Sequence, residues 1–239
     1  MEERELPRAV LPATTAIFAA LHAALASFPG PLFRSWMFFI MPIEGIVLGP
    51  GPGAVAAIIG GSIGCFNRGE AMILPIVALS EPVGAASAGL AFRGRWRELL
   101  GLYGLMLAAY FIHPLGRQLP AWCLWDIYIA FAAIGPACLI SGRLARREKL
   151  RAPELPLAVA LSTFVGLEAD VLTRIFMLIP MFFYTILVPE PVIETLTAWW
   201  IAGAFTTPIE ALLGVASSAW VVPPVLVALE QKGIRCPMT

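Results

Sequence analysis

The stretch AWCLWDIYIAFAAIGPACLISGRLARREKLR, residues 121 to 151, decides how the chain is read. From 121 to 142 a single acid, Asp126, interrupts an otherwise apolar or small-residue run, and Arg143, Arg146, Arg147, Lys149 and Arg151 follow at once. A helix of about 20 apolar residues matches a hydrocarbon core of about 30 Å, and a basic cluster at its end marks the cytoplasmic flank. The unit is a membrane helix with its inside anchor.

The same unit recurs along the chain. Apolar runs occupy residues 9 to 28, 34 to 49, 51 to 66, 71 to 92, 98 to 116, 156 to 188 and 196 to 229, separated by charge, Pro or Gly. The runs 34 to 49 and 51 to 66 are short and joined only by Gly49-Pro50-Gly51-Pro52-Gly53, which fits two half-spans or a tight hairpin. At 1.5 Å per residue the run 156 to 188 is longer than a membrane is thick, so it must tilt, bend near Pro180 or leave the bilayer. The expected fold is an all-α polytopic integral membrane helix bundle of six to eight spans. It forms a single transmembrane domain over 1 to 239, with a basic cytoplasmic loop at 143 to 155 and further C-terminal helices at 156 to 229.

Composition agrees. Of 239 residues 59% are apolar and 13% charged, with a mean hydropathy of +0.82, whereas a soluble domain has about 45–50% apolar and about 25% charged residues. An ordinary soluble enzyme is excluded. Sixteen Lys and Arg balance sixteen Asp and Glu, so there is no basic field for nucleic acid. Cys65, Cys123, Cys138 and Cys236 form no C-x-x-C pair and read as buried small hydrophobes. His22 and His113 are too few and too scattered for a histidine metal site, and no cofactor is implied. The charged start, Glu2 to Arg8, resembles a signal peptide superficially. Its apolar run is too long for a signal-peptide core, so it reads as a retained first span.

The basic residues set an expected orientation. Arg4 and Arg8, then Arg93, Arg95 and Arg97, then Arg143 to Arg151, then Lys232 and Arg235 all fall on one side of eight crossings. Both termini are thus expected to be cytoplasmic in a multi-pass cell-membrane protein, with Arg34, Arg68 and Arg117 as exceptions on the outer side.

Acids within spans carry the functional signal, because each costs at least ~2.5 kcal/mol at the bilayer centre unless paired, solvated or used. They are Glu44, Glu81, Asp126, Glu168, Asp170 and Glu210. Asp170 and Arg174 stand i, i+4 with the acid first, the favourable order for a structural ion pair within one helix. Glu44, Glu81 and Glu210 have no opposite charge within a turn. Each is a candidate for substrate or ion contact or for a hydrogen bond between helices. Asp126, beside Trp122, Trp125 and Tyr128, reads as one wet carboxylate in an interfacial aromatic belt. Outer-end aromatics, Phe33, Trp36, Phe38, Phe39, Trp122, Trp125, Trp199 and Trp200, anchor helices at the interface or stack on a flat heterocycle.

In the first run Ala16, Ala20 and Ala24 recur every fourth residue, a flat stripe that admits close approach of another helix, in this chain or a partner. That stripe, together with Leu48-Gly49-Pro50, Gly53-Ala54 through Gly64, and Pro75 through Ala88-Gly89-Leu90 closed by Arg93, Arg95 and Arg97, resembles the substrate-binding S components of energy-coupling-factor vitamin transporters. The likeness covers about residues 9 to 142, and members of that family usually have six helices. The resemblance implies a capture protein for a vitamin or similar micronutrient, not itself an enzyme. It would dock through Ala16, Ala20 and Ala24 onto a membrane coupling protein driven by two cytosolic ATPases. The absence of a G-x-x-x-x-G-K-[ST] loop fits hydrolysis by partners. On this reading Trp36, Glu44, Glu81, Trp125 and Glu210 line the substrate pocket. The alternative is a stand-alone proton- or cation-coupled secondary transporter using Glu44, Glu81, Glu168 and Asp170 as its path. An intramembrane enzyme is disfavoured, since no H-E-x-x-H motif and no paired-aspartate motif in facing helices is evident.

Overall fold

The computed structural model describes residues 10–30, 34–147 and 153–231, and among them all regular structure is helical. The basic residues Arg4, Arg8, Lys149, Arg151, Lys232 and Arg235, with Phe33 and Cys236, lie outside the described residues. Four helices, Ala71–Phe92, Ala121–Ala145, Leu155–Leu178 and Val192–Gln231, are long and apolar enough to cross a membrane.

The α-helices are α1 (Val10–Ala26), α2 (Met41–Leu48), α3 (Pro50–Asn67), α4 (Leu74–Phe92), α5 (Trp96–Ile112), α6 (Trp125–Arg147), α7 (Leu155–Leu178), α8 (Tyr184–Leu187) and α9 (Val192–Gln231). Their order follows the apolar runs of the sequence. Short 3-10 turns at Trp36–Phe39, Ala71–Ile73 and Ala121–Leu124 lead into α2, α4 and α6.

The run 34 to 66 forms a tight reversal. Gly49 ends α2 at φ 105° and ψ 163°, a conformation that only glycine adopts without strain. Pro50 then opens α3 at the first helical position, where its missing N–H leaves nothing unsatisfied. All eight residues of α2 are buried, enclosed by α1, α3, α4, α7 and α9.

The long run 156 to 188 leaves the helix at Leu178. Pro180 cannot donate the next helical hydrogen bond and disfavours helical geometry at Ile179. Phe182 then reverses the chain at φ 62°, and only the single turn of α8 follows. Although it belongs to the C-terminal part, α7 lies at the centre and packs on α2, α4, α5, α6 and α9. Fifteen of its residues are buried, Glu168 and Asp170 among them.

In α1 the buried residues are Ala19, His22, Ala23 and Ala26, turned toward α3. Ala16, Ala20 and Ala24 lie on the opposite face and are exposed together with Ile17 and Leu21. Among the described residues the stripe is thus left open.

Candidate charge network and cavity

The buried charges form one connected chain across the bundle. His22 on α1 reaches two carboxylates at once: Nδ1 lies 3.1 and 3.0 Å from the two oxygens of Glu44 on α2, and Nε2 lies 3.0 Å from Oε2 of Glu81 on α4. All three side chains are essentially inaccessible. Both ring nitrogens face carboxyl oxygens, so each contact needs a proton. Either the imidazole donates from both nitrogens, or a carboxyl donates to one of them. The trio carries one net negative charge in either arrangement.

Glycine makes room for it. A Cβ on Gly61 of α3 would collide with Oε2 of Glu81, so any larger residue there would push the carboxylate off the imidazole.

From Glu81 the network continues to Arg174, whose Nη2 donates to Oε1 at 3.5 Å. Nε of Arg174 donates to both oxygens of Asp170 at 3.1 Å, which makes the i, i+4 pair expected from the sequence one link of a longer series. Nη1 of Arg34 lies 3.5 Å from Asp170. Arg34 then clamps Glu210 on α9 from two directions, with its backbone N–H donating at 2.9 Å and Nε at 2.6 Å. Its remaining nitrogens donate to the carbonyls of Leu167 and Thr207. With the histidine trio negative, four carboxyl groups outweigh the two arginines by one charge.

Two further acids lie close by. Asp126 is buried, a correction to the wet interfacial carboxylate expected from its aromatic neighbours. Trp122 and Trp125 do face outward, but Asp126 turns in, accepting the Thr207 hydroxyl at 2.5 Å and the Ile127 N–H at 2.9 Å. Glu168 is fully buried, and neither carboxyl oxygen has a hydrogen-bond partner among the described residues. An uncompensated carboxylate in such a place costs several kcal/mol, about 3–5 kcal/mol where one member of a buried pair is missing.

A cavity of about 420 Å³ opens beside this network, walled by the starts of α4 and α6, the second half of α7, Leu187 and the first half of α9. Its polar contributors are Arg34, Asp126, Arg174 and Thr207, its aromatic wall is Trp199 and Trp200, and most of the rest is aliphatic. Trp200 is fixed by an indole N–H donated to the Tyr110 hydroxyl at 3.0 Å and by stacking on that ring. Nη1 of Arg174 makes no hydrogen bond among the described residues, although Nε and Nη2 do. The cavity lies at the end of the bundle away from Arg93 and Arg143.

No protein-family model, curated protein or solved structure matches this chain.

The five residues offered by the sequence as pocket residues are dispersed. Glu44, Glu81 and Glu210 each have a protein partner and lie behind the cavity rather than on its wall. Trp36 stacks on Phe39 at the surface, and Trp125 is half exposed, its indole N–H donating to the Ala204 carbonyl at 2.9 Å. The residues the sequence did not single out are His22, Arg34 and Thr207, whereas Trp199 and Trp200 were among the outer-end aromatics offered for anchoring or stacking. A signal existed for two of them. Glu44 and Glu81 lacked partners on their own helices, and His22 was the one titratable group of the first run. Arg34 was an exception to the orientation expected from the other basic clusters, and it is buried and paired with Glu210.

Proposed function

We propose that the chain is a membrane-embedded capture protein for a small molecule, a vitamin or similar micronutrient, in the manner of the S components its sequence resembles. The observation that carries this reading is the cavity beside Asp126 and Arg174. Its volume of about 420 Å³ falls within the ~300–1,000 Å³ of small-molecule sites, and it has their character, an apolar wall with a few convergent polar groups. The favoured ligand is a small, largely apolar or flat molecule with a hydrogen-bond donor or positive charge to meet Asp126 and an acceptor to meet Arg174. Trp199 and Trp200 supply a surface on which a ring would stack.

The docking part of the proposal rests on α1. Its Ala16, Ala20 and Ala24 face is uncovered, as contact with a membrane coupling protein and its two ATPase subunits requires. In the full proposal the chain makes six to eight crossings with both termini cytoplasmic, and the cavity faces outward. It has no catalytic role of its own.

The test is to purify the chain from its native membrane and identify what is retained by mass spectrometry, comparing Asp126→Asn. A bound small molecule lost in the variant supports the reading, and an empty protein at every purification stage overturns it. Ala20→Leu should abolish capture of the coupling protein. Undiminished capture removes the docking claim.

One observation favours the second reading, a stand-alone proton- or cation-coupled transporter. Among the described residues the buried acids outnumber their basic partners and Glu168 has no hydrogen-bond partner, so a proton or an alkali cation would relieve it. Gradient-driven uptake by the protein alone in liposomes would decide for it.

A further inference from the structure

A second concavity lies at the opposite end of the bundle, between α5 and α6, with a volume of about 820 Å³. Glycine creates it. Gly135 and Gly142 of α6 line it, and a Cβ built on either would meet nothing within 4 Å. The spacing Phe131, Gly135, Cys138 and Gly142 puts these residues on one stripe of α6. The floor is therefore apolar and continuous, and Leu100 and Leu139 flank it with exposed side chains.

Charge is confined to one end. Arg143 and Arg93 line the mouth, and Arg97 stands next to it with its guanidinium 5.3 Å from the centroid of the Trp96 ring. Arg95 is neutralised by Glu98, but among the described residues neither Arg97 nor Arg143 forms an ion pair, and both are exposed. Along α6 the distance from Phe131 to Arg143 is twelve helical rises, about 18 Å, against about 15 Å for half of a hydrocarbon core. The groove thus has the length of one leaflet, an apolar body and a cationic, tryptophan-flanked head.

The geometry points to a site for an anionic glycerophospholipid, one acyl chain lying along Gly135 and Gly142 and the phosphate held by Arg143 and Arg97. A zwitterionic lipid places an ammonium group beside the same arginines and gains less. A soluble anion would gain nothing from the apolar floor. The site is independent of whatever the cavity at the other end binds.

The experiment is native mass spectrometry of the full chain equilibrated in detergent with equal amounts of palmitoyl-oleoyl-phosphatidylglycerol and the corresponding phosphatidylcholine. The wild type is expected to retain one phosphatidylglycerol. Gly135→Leu fills the groove and should lower retention at least tenfold, and Arg143→Gln should lower it about fivefold, the loss expected for one arginine near a charged lipid surface. A melting scan checks folding: phosphatidylglycerol should raise the melting temperature of the wild type and leave that of Gly135→Leu unchanged. If Gly135→Leu does not fold, Arg143→Gln decides alone. Equal retention of the two lipids by the wild type, or unchanged retention in Arg143→Gln, would overturn the site.

Discussion

Replacing His22 by Leu tests whether the charge network holds the bundle together. The imidazole is inaccessible and contacts Glu44 and Glu81 at 3.0 to 3.1 Å, so the change removes the partner of two buried carboxyl groups while roughly keeping volume. Glu81 keeps Arg174 at 3.5 Å, but Glu44 loses both of its side-chain contacts. Two charge-assisted hydrogen bonds at about 1.5–3 kcal/mol each and the cost of orphaning a buried charge, about 3–5 kcal/mol, bracket the same range. At about 2–4 °C per kcal/mol for a chain of this size, the melting temperature should fall by about 6–20 °C. Intrinsic tryptophan fluorescence during heating in detergent reads this directly. The double variant His22→Leu, Glu44→Leu removes the orphan and should recover most of the loss. A single variant that melts within about 2 °C of the wild type would refute the reasoning, and so would a double variant no better than the single.

Gly61→Ala should cost about 1–3 kcal/mol, because the new methyl displaces the Glu81 carboxylate and overpacks the α3 to α4 contact; the melting temperature checks it. Arg34→Met should destabilise strongly by leaving Glu210 and Asp170 short of a cation, and Arg34→Met with Glu210→Met should restore stability toward the wild type in the same scan. Trp200→Phe removes the indole donor to Tyr110 while keeping the stacking, so it should cost about 1 kcal/mol in a denaturant titration. Thr207→Ala frees an acceptor site on Asp126 and should change retention of a co-purified small molecule, read by mass spectrometry, more than it changes the melting temperature.

The helices were legible because lipid imposes a length and a polarity that a one-dimensional scan detects, and the eight apolar runs reappear as helices in the same places. Of the outcomes open to the run 156 to 188, a tilt, a bend near Pro180 or an exit, the helix end at Leu178 agrees with a break at the proline. Pairing was not legible. His22 meets Glu44 and Glu81 at separations of 22 and 59 residues, and Arg34 meets Glu210 across 176, distances over which a sequence records neither direction nor depth. Asp126 misled for a related reason: Trp122 and Trp125 do face outward, but Asp126 itself turns inward to Thr207. The Ala16, Ala20 and Ala24 stripe admits two readings from its sequence, and only the facing of α1 distinguishes an inner seam from an open one.

The complete enclosure of α2 has a consequence for how the protein is made. Its eight residues lie inside a cage whose walls include α7 and α9, which leave the ribosome long after α2 does. Until those later helices arrive, Glu44 and the apolar faces around it have no finished surroundings, and the Gly49 reversal leaves α2 too short to wait as an independent span. The surroundings of α2 are therefore incomplete until the last helix closes over it. A nascent chain arrested before Val192 should accordingly remain open to proteases and thiol reagents at sites that the finished protein hides.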